Sequence, residues 1–207
     1  MITFDHIAIT APSLKEGAEY MHALTGLTFP KGGAHPDMAT HNLVTALGPD
    51  TFAEIIAINP DAPAPNRPRW FNLDHVTAPQ TAWLLRTDNI DDCIERAATL
   101  GIDLGRAMPL QRGHLRWRFT VRDDGTIPLG GGAPLILQWD ETGPQHPAAN
   151  MTDLGLRMDA LTINTPHADR LTALLDALDL VDRPAIREAA FTKITAQFST
   201  QNEKTTL

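Results

Sequence analysis

His6 and Glu54 are the residues whose type and setting point most directly to chemistry. Glu54 stands in the run Phe52-Ala53-Glu54-Ile55-Ile56-Ala57-Ile58 with no other charge beside it, and His6 sits in an apolar strand near the start of the chain. A carboxylate buried in such a run is costly unless it is paired, hydrogen-bonded or bound to a metal. Imidazole and carboxylate both suit Zn, Mn, Fe, Co or Ni. Three roles stay open for the pair: ligands of one divalent metal, polar lining of a metal-free pocket, or hydrogen-bonded structural residues. Arg116 and Arg118 share one face of an alternating run. If that face lines a cleft, they can clamp an anionic substrate such as a carboxylate; if it faces water, they are ordinary surface charges. His35-Pro36-Asp37 and His41-Asn42 lack the spacing of a helical zinc site, although any His near a pocket can carry protons close to pH 7.

The elements that must position these groups follow from hydrophobic periodicity. Ile2 to Thr10 alternates as a strand, with Phe4, His6 and Ala8 on one face and Ile7 and Ile9 on the other. Ser13 caps a helix carrying Leu14, Ala18, Met21 and Leu24, and Gly26 closes it. Pro30 to Thr40 reads as a loop. Asn42–Leu47 and Thr51–Ile58 read as strands joined by Gly48-Pro49-Asp50, and the proline-rich stretch Asn59–Pro68 as a connection. Ala82–Arg86 begins a second strand-helix unit whose buried stripe is Ile90, Cys93, Ile94 and Ala97; the thiol there reads as inert. His114–Val121 and Leu135–Trp139 complete it, with Trp117 and Trp139 read as core. Leu161–Asn164, a helix on Leu171, Leu174, Leu175 and Leu178, and a strand over Phe191–Thr200 form a third start.

These starts repeat. Asp5–Pro12 lines up with Asp159–Pro166, and Ala82–Leu85 begins about halfway between them. The repeated pattern is βαβββ. One such unit covers a single face of its small sheet with its helix and must meet a second unit with the other. The expected fold class is therefore α+β: paired βαβββ modules in a curved mixed sheet with a central cleft, plus a partial third module. Residues 1–150 would form the paired domain, with modules at about 2–60 and 80–147, and residues 151–207 would pack on it.

Several stretches then resemble the vicinal oxygen chelate superfamily, and within it the glyoxalase-like domain proteins. They are Phe4-Asp5-His6-Ile7-Ala8-Ile9, Gly32-Gly33-Ala34-His35, Ala39-Thr40-His41-Asn42-Leu43, Leu115-Arg116-Trp117-Arg118, and Leu135-Ile136-Leu137-Gln138-Trp139 followed by His146-Pro147. The resemblance implies a cleft in which His6 and Glu54 hold one divalent metal. It also implies Glu54 and His35 as catalytic groups and Asn42 and His146 as substrate-binding groups, which Arg116 and Arg118 would join if their face lines the cleft. It implies lyase, isomerase or dioxygenase-type chemistry on a small molecule with vicinal oxygens, or, in its metal-free form, a small-molecule binding protein. Pairing of modules across chains, as a homodimer, is a further arrangement it admits. Opposite His6, the repeat places Ala82 and Ala160, which bind no metal.

Composition narrows the classes. The chain has 207 residues and a formal net charge of −8, which does not suit binding to nucleic-acid phosphates. No window approaches a membrane span and no signal peptide is visible, so the expected compartment is cytoplasmic. A phosphate-binding Gly-x-x-x-x-Gly-Lys-Ser/Thr loop and a Gly-x-Gly-x-x-Gly turn are both missing, so no nucleotide cofactor is expected.

Overall fold

β1 (Ile2–Thr10) is rich in β-branched residues, and its Ile7 and Ile9 are wholly buried. Ser13 then caps α1 (Leu14–Thr25): its oxygen accepts from the Glu16 backbone N–H and donates to the Glu16 carboxylate at 2.7 Å. Gly26 closes the helix in the left-handed conformation at φ 70°. The chain returns through β2 (Lys31–His35), β3 (Thr40–Ala46) and β4 (Phe52–Ile58), and β4 pairs parallel to β1. The second unit follows the same path with β5 (Gln80–Thr87), α2 (Ile90–Thr99), β6 (Arg106–Arg112), β7 (Leu115–Val121) and β8 (Leu135–Trp139), β8 lying parallel to β5. Antiparallel pairing of β1 with β5 fuses the units into one eight-stranded sheet of order β2-β3-β4-β1-β5-β8-β7-β6. This computed structural model describes residues 1–140, 146–200 and 204–207. The paired βαβββ architecture is the one the repeat implies. Among the described residues no helix is long and apolar enough to cross a membrane.

The sheet separates two apolar layers. On the helix side, Ile7, Ile9, Ile55, Leu85 and Ile136 pack with Met21, Ile90 and Cys93. On the other face, Ala8, Ile56, Leu84 and Leu137 pack with Trp70, Phe71, Trp117 and Phe119. The third unit comprises β9 (Arg157–Thr165), α3 (Ala168–Ala177), β10 (Ala185–Glu188), β11 (Lys193–Ser199) and β12 (Lys204–Thr206). It forms a sheet of its own, ordered β10-β9-β11-β12, and its Ile163, Leu171, Leu174 and Phe198 join the helix-side core.

The structure departs from the sequence expectation mainly at sheet edges. Residues Lys31–His35, expected as loop, form β2, and Arg106–Arg112, not anticipated as a strand, forms β6. Both are the outermost strands of the sheet, where Gly32, Gly33 and Pro109 are tolerated because one side of the backbone needs no partner. The third unit adds β10, also at an edge. Phe4 and His6 do not share a face. Phe4 opposes Leu85 and His6 opposes Leu84, so Asp5 is an extra residue in β1, a bulge that turns His6 toward the cleft.

Gly17 sets how closely the helix layer packs. A Cβ built there would lie 2.5 Å from Ile55 Cγ2, so α1 rests directly on the helix-side face of β4. Gly→Ala inside a helix ordinarily stabilises by about 0.5–1 kcal/mol. At Gly17 the overpacking should reverse the sign, costing about 1–3 kcal/mol in denaturant unfolding. A more stable G17A variant would contradict this close approach.

Candidate functional site

The bulge at Asp5 creates the central feature of the cleft. Asp5 Oδ1 meets His6 Nδ1 at 2.5 Å, and His6 Nε2 faces Glu54 Oε2 at 3.4 Å. The Asn42 amide donates to Glu54 Oε1 at 2.6 Å, and its own oxygen accepts from the Gly33 N–H at 2.7 Å. At the other end, Asp5 Oδ2 accepts from Trp139 Nε1 at 2.9 Å and contacts His146 Nε2 at 2.9 Å. A single chain of polar contacts therefore runs from His146 through Asp5, His6 and Glu54 to Asn42. Asp5, His6, Asn42 and Glu54 are all at most 5% exposed.

Burial alone would raise Asp5. Its hydrogen bonds to His146 and His6 win, holding it well below the usual carboxylate range. For His6, burial pushes the ring down, but contact with Asp5 and Glu54 outweighs it and raises the pKa to about 9. Glu54 is likewise driven up by burial, and lowered in net by His6, His35 and Asn42. At neutral pH an imidazolium thus lies between two carboxylates. His35, the last residue of β2, is different: burial pushes it down to about 4, so it is neutral. Its Nδ1 meets Thr40 Oγ1 at 3.1 Å, and its Nε2 lies 3.4 Å from Arg112, which can only donate. Those partners assign the ring proton to Nδ1.

His6, His35, Asn42 and Glu54 line one cavity of about 40 Å³, facing Trp117, Phe119 and Leu137 of the second unit. His146 stands behind it, on Asp5. Arg116 and Arg118 are not in this cavity. Strand alternation in β7 sends Trp117 and Phe119 into the cleft, and Arg118 to the opposite side, where it makes a bidentate pair with Asp91 of α2 at 2.7 Å. Arg116 is exposed and lines an outer groove with Arg118 and Gln138. Trp117 and Trp139, expected as core, are cavity walls as well.

Three residues of the cavity region with polar side-chain groups carry no expectation from the sequence. Asp5 is one, and its signal was a second charge inside the apolar β1 run. Arg112 and Trp70 are the others: both line the cavity. Arg112 comes from the unanticipated β6, and Trp70 from a short 3-10 segment (Trp70–His75) whose Phe71 and Asn72 take left-handed φ values of 59° and 55°.

A divalent metal needs donors gathered around one point, and His6, His35 and Glu54, though they line one cavity, are not so gathered. Catalytic zinc sites hold the ion with three protein ligands. Here the second unit offers apolar and aromatic side chains opposite His6 and Glu54. Among the described residues no group of three or more His, Cys, Asp or Glu is disposed to hold a metal ion. His6 would also have to surrender a proton held by two carboxylates. The donor set does not fit a resident metal.

The glyoxalase-like domain family matches residues 4–178 of the chain. No curated protein matches it. Among solved structures, a hypothetical protein from Staphylococcus aureus aligns with a TM-score of 0.62 at 12% identity, covering 93% of this chain and 88% of that one. A mutant of 4-hydroxymandelate synthase from Streptomyces coelicolor aligns with a TM-score of 0.53 at 14% identity, covering 100% of this chain and 63% of that one. At these identities the likeness is one of fold.

The two histidines tie stability to pH with opposite signs. His6, raised to about 9, contributes stability that is complete below its ordinary value of 6.5 and lost as the pH rises through 9. His35, lowered to about 4, contributes stability that is present above 6.5 and lost as the pH falls toward 4. Thermal midpoints across pH 5 to 10 should therefore fall on both sides of neutrality. His35→Gln should flatten the limb between about pH 6.5 and 5 and leave the alkaline limb intact. An unchanged acid limb in that variant would contradict the assignment.

Proposed function

The chain belongs to the glyoxalase-like domain family of the vicinal oxygen chelate superfamily, and on that premise we propose that it is a small-molecule enzyme whose chemistry is proton transfer by Glu54. The observation that carries this reading is the buried Asp5–His6–Glu54 chain, which ends in a carboxylate on the cavity. A base buried among aromatic walls is desolvated, and a bound substrate excludes the remaining water, so the carboxylate gains basicity once the site is filled. Glu54 takes a proton from a carbon next to an oxygen-bearing carbon. His6, oriented by Asp5, keeps Glu54 ionised beforehand and stands ready to return a proton through Nε2. Asn42 holds the second carboxylate oxygen, so only Oε2 reacts. Neutral His35 offers Nε2 as an acceptor at the cavity wall. Of the reaction types the superfamily resemblance implies, isomerisation and lyase chemistry need only such a proton carrier.

A metal-free binding protein of the same fold is the second reading, favoured by the wall of Trp117, Phe119 and Trp139. Deuterium incorporation separates the two. Small hydroxy- and oxo-compounds are incubated with the protein in D2O and followed by NMR. We expect exchange at the carbon beside the oxygen-bearing carbon, reduced about 10²–10⁴-fold in Glu54→Gln. The exchange should survive dialysis against EDTA and gain nothing from added Zn, Mn, Fe, Co or Ni. Exchange at wild-type rate in Glu54→Gln, or no exchange with any compound, would sink the enzyme reading; loss on chelation would sink its metal-free form.

A further inference from the structure

Arg112 is the charged group of the cavity that proton transfer leaves unused. It ends β6, and its stem lies across the backbone of β2: a Cβ at Gly33 would stand 2.6 Å from Arg112 Cδ and 3.3 Å from its terminal Nη1. The absence of a side chain at Gly33 is what lets the guanidinium reach the cavity. There it makes two long contacts from Nη1 alone, to Asn42 Oδ1 at 3.3 Å and His35 Nε2 at 3.4 Å, both neutral groups. Among the described residues no carboxylate pairs with it. Asn42 explains why: its amide donates to Glu54 and its oxygen receives Arg112, so it stands between base and cation and keeps them from neutralising one another. A guanidinium has five donors in a fork shaped for two carboxylate oxygens, and most of this fork has no partner among the described residues.

Trp70 is the second observation. It is 4% exposed, lines the same cavity, and its indole Nε1–H is buried with no acceptor among the described residues. Buried donors in native proteins are satisfied in the great majority of cases, and an orphan calls for a reason. A missing acceptor on a residue of the cavity that also holds an unpaired guanidinium has one economical explanation: the ligand brings the oxygen atoms.

We infer that Arg112 and Trp70 form the carboxylate-recognition end of the cavity, and that the ligand is a short carboxylate whose anionic head lies on these two residues with its neighbouring carbon toward Glu54. This rests on the proton-transfer reading for the role of Glu54, but not for the binding itself. The cavity volume of about 40 Å³ admits roughly three water-sized positions, the size of a carboxylate head with its first carbon. The remaining substituent extends toward Trp117 and Trp139, which border both the cavity and the outer groove.

The test compares charge at constant shape. EDTA-dialysed protein is titrated with acetate, propionate and pyruvate, and with acetamide, propionamide and pyruvamide, by calorimetry and tryptophan fluorescence. The carboxylates should saturate, with at least about tenfold higher affinity than their amides. Arg112→Met should lose about tenfold or more, Arg112→Lys less, and Trp70→Phe a smaller factor for carboxylates alone. Gly33→Ala, which displaces the Arg112 stem, should weaken carboxylates too, and Arg187→Met on β10 should change nothing. Circular dichroism and the thermal midpoint establish that each variant is folded. Equal binding of amides and carboxylates, no binding of any carboxylate, or wild-type affinity in folded Arg112→Met would each overturn the inference. Glu54→Gln keeps the two proposals apart. It should cut exchange about 10²–10⁴-fold while retaining carboxylate binding; selective carboxylate binding without exchange in the wild-type protein condemns only the catalytic reading, and exchange without carboxylate selectivity condemns only this one.

Discussion

Asp5 and Glu54 are both buried, and a carboxylate in an apolar interior stays ionised only when it is paired or hydrogen-bonded. His6 is the cation they share, and Arg86 stands 3.7 Å from Asp5 Oδ2 as well. The His6 ring meets one carboxylate with each nitrogen, and the stacked Phe52 ring, 4.1 Å away, excludes water from its face. Other features of the cleft serve this arrangement. Without the bulge in β1, Asp5 and His6 would project to opposite sides of the sheet. Without Trp139 and His146, Asp5 Oδ2 would lose its two closest partners. Because those two residues come from the second unit, the polar chain also ties the halves of the molecule together across the cleft.

The two units are alike in path and unlike in chemistry. The first supplies the ionisable groups His6, Glu54 and His35, together with the amide of Asn42. The second supplies aromatic and aliphatic walls and one guanidinium, Arg112. In a low-dielectric pocket this division strengthens the few charges present, since little water or protein dipole competes with them. It also explains why the donor set suits a proton better than a metal ion: an ion shared by both halves needs ligands from both, and β5 and β8 present Leu84 and Leu137 to the cleft.

Much of this was legible in the residues. The βαβββ repeat gave the paired architecture because strand and helix periodicities are local. His6 and Glu54 stood out because each is a polar residue in an apolar run. The side of the sheet that Arg116 and Arg118 face is not local information. Alternation in β7 assigns them together, but only packing against α2, through Asp91, decides which face meets the helix. β2 was unreadable for a related reason. Gly32 and Gly33 look like loop residues, yet they lack side chains because Asn42 and Arg112 occupy that space. A built Cβ at Gly32 would come within 2.1 Å of Asn42 Oδ1. The glycines are thus the imprint of two functional side chains that lie elsewhere in the sequence.

The third unit sharpens the meaning of the repeat. It begins like the others, with a strand and a helix, but β9 pairs in parallel with β10 immediately after the helix, where β1 and β5 pair with the last strand of their units. That difference sends its sheet apart from the eight-stranded one. Its apolar residues, Ile163, Leu171 and Phe198 among them, join the core on the helix side, opposite the Glu54 cavity. Ala160, aligned with His6, is exposed on β9. The same sequence signal therefore ends in a different role. Repetition fixes the local path of each unit, whereas the pairing partner of its first strand decides whether it builds the cleft or backs the core.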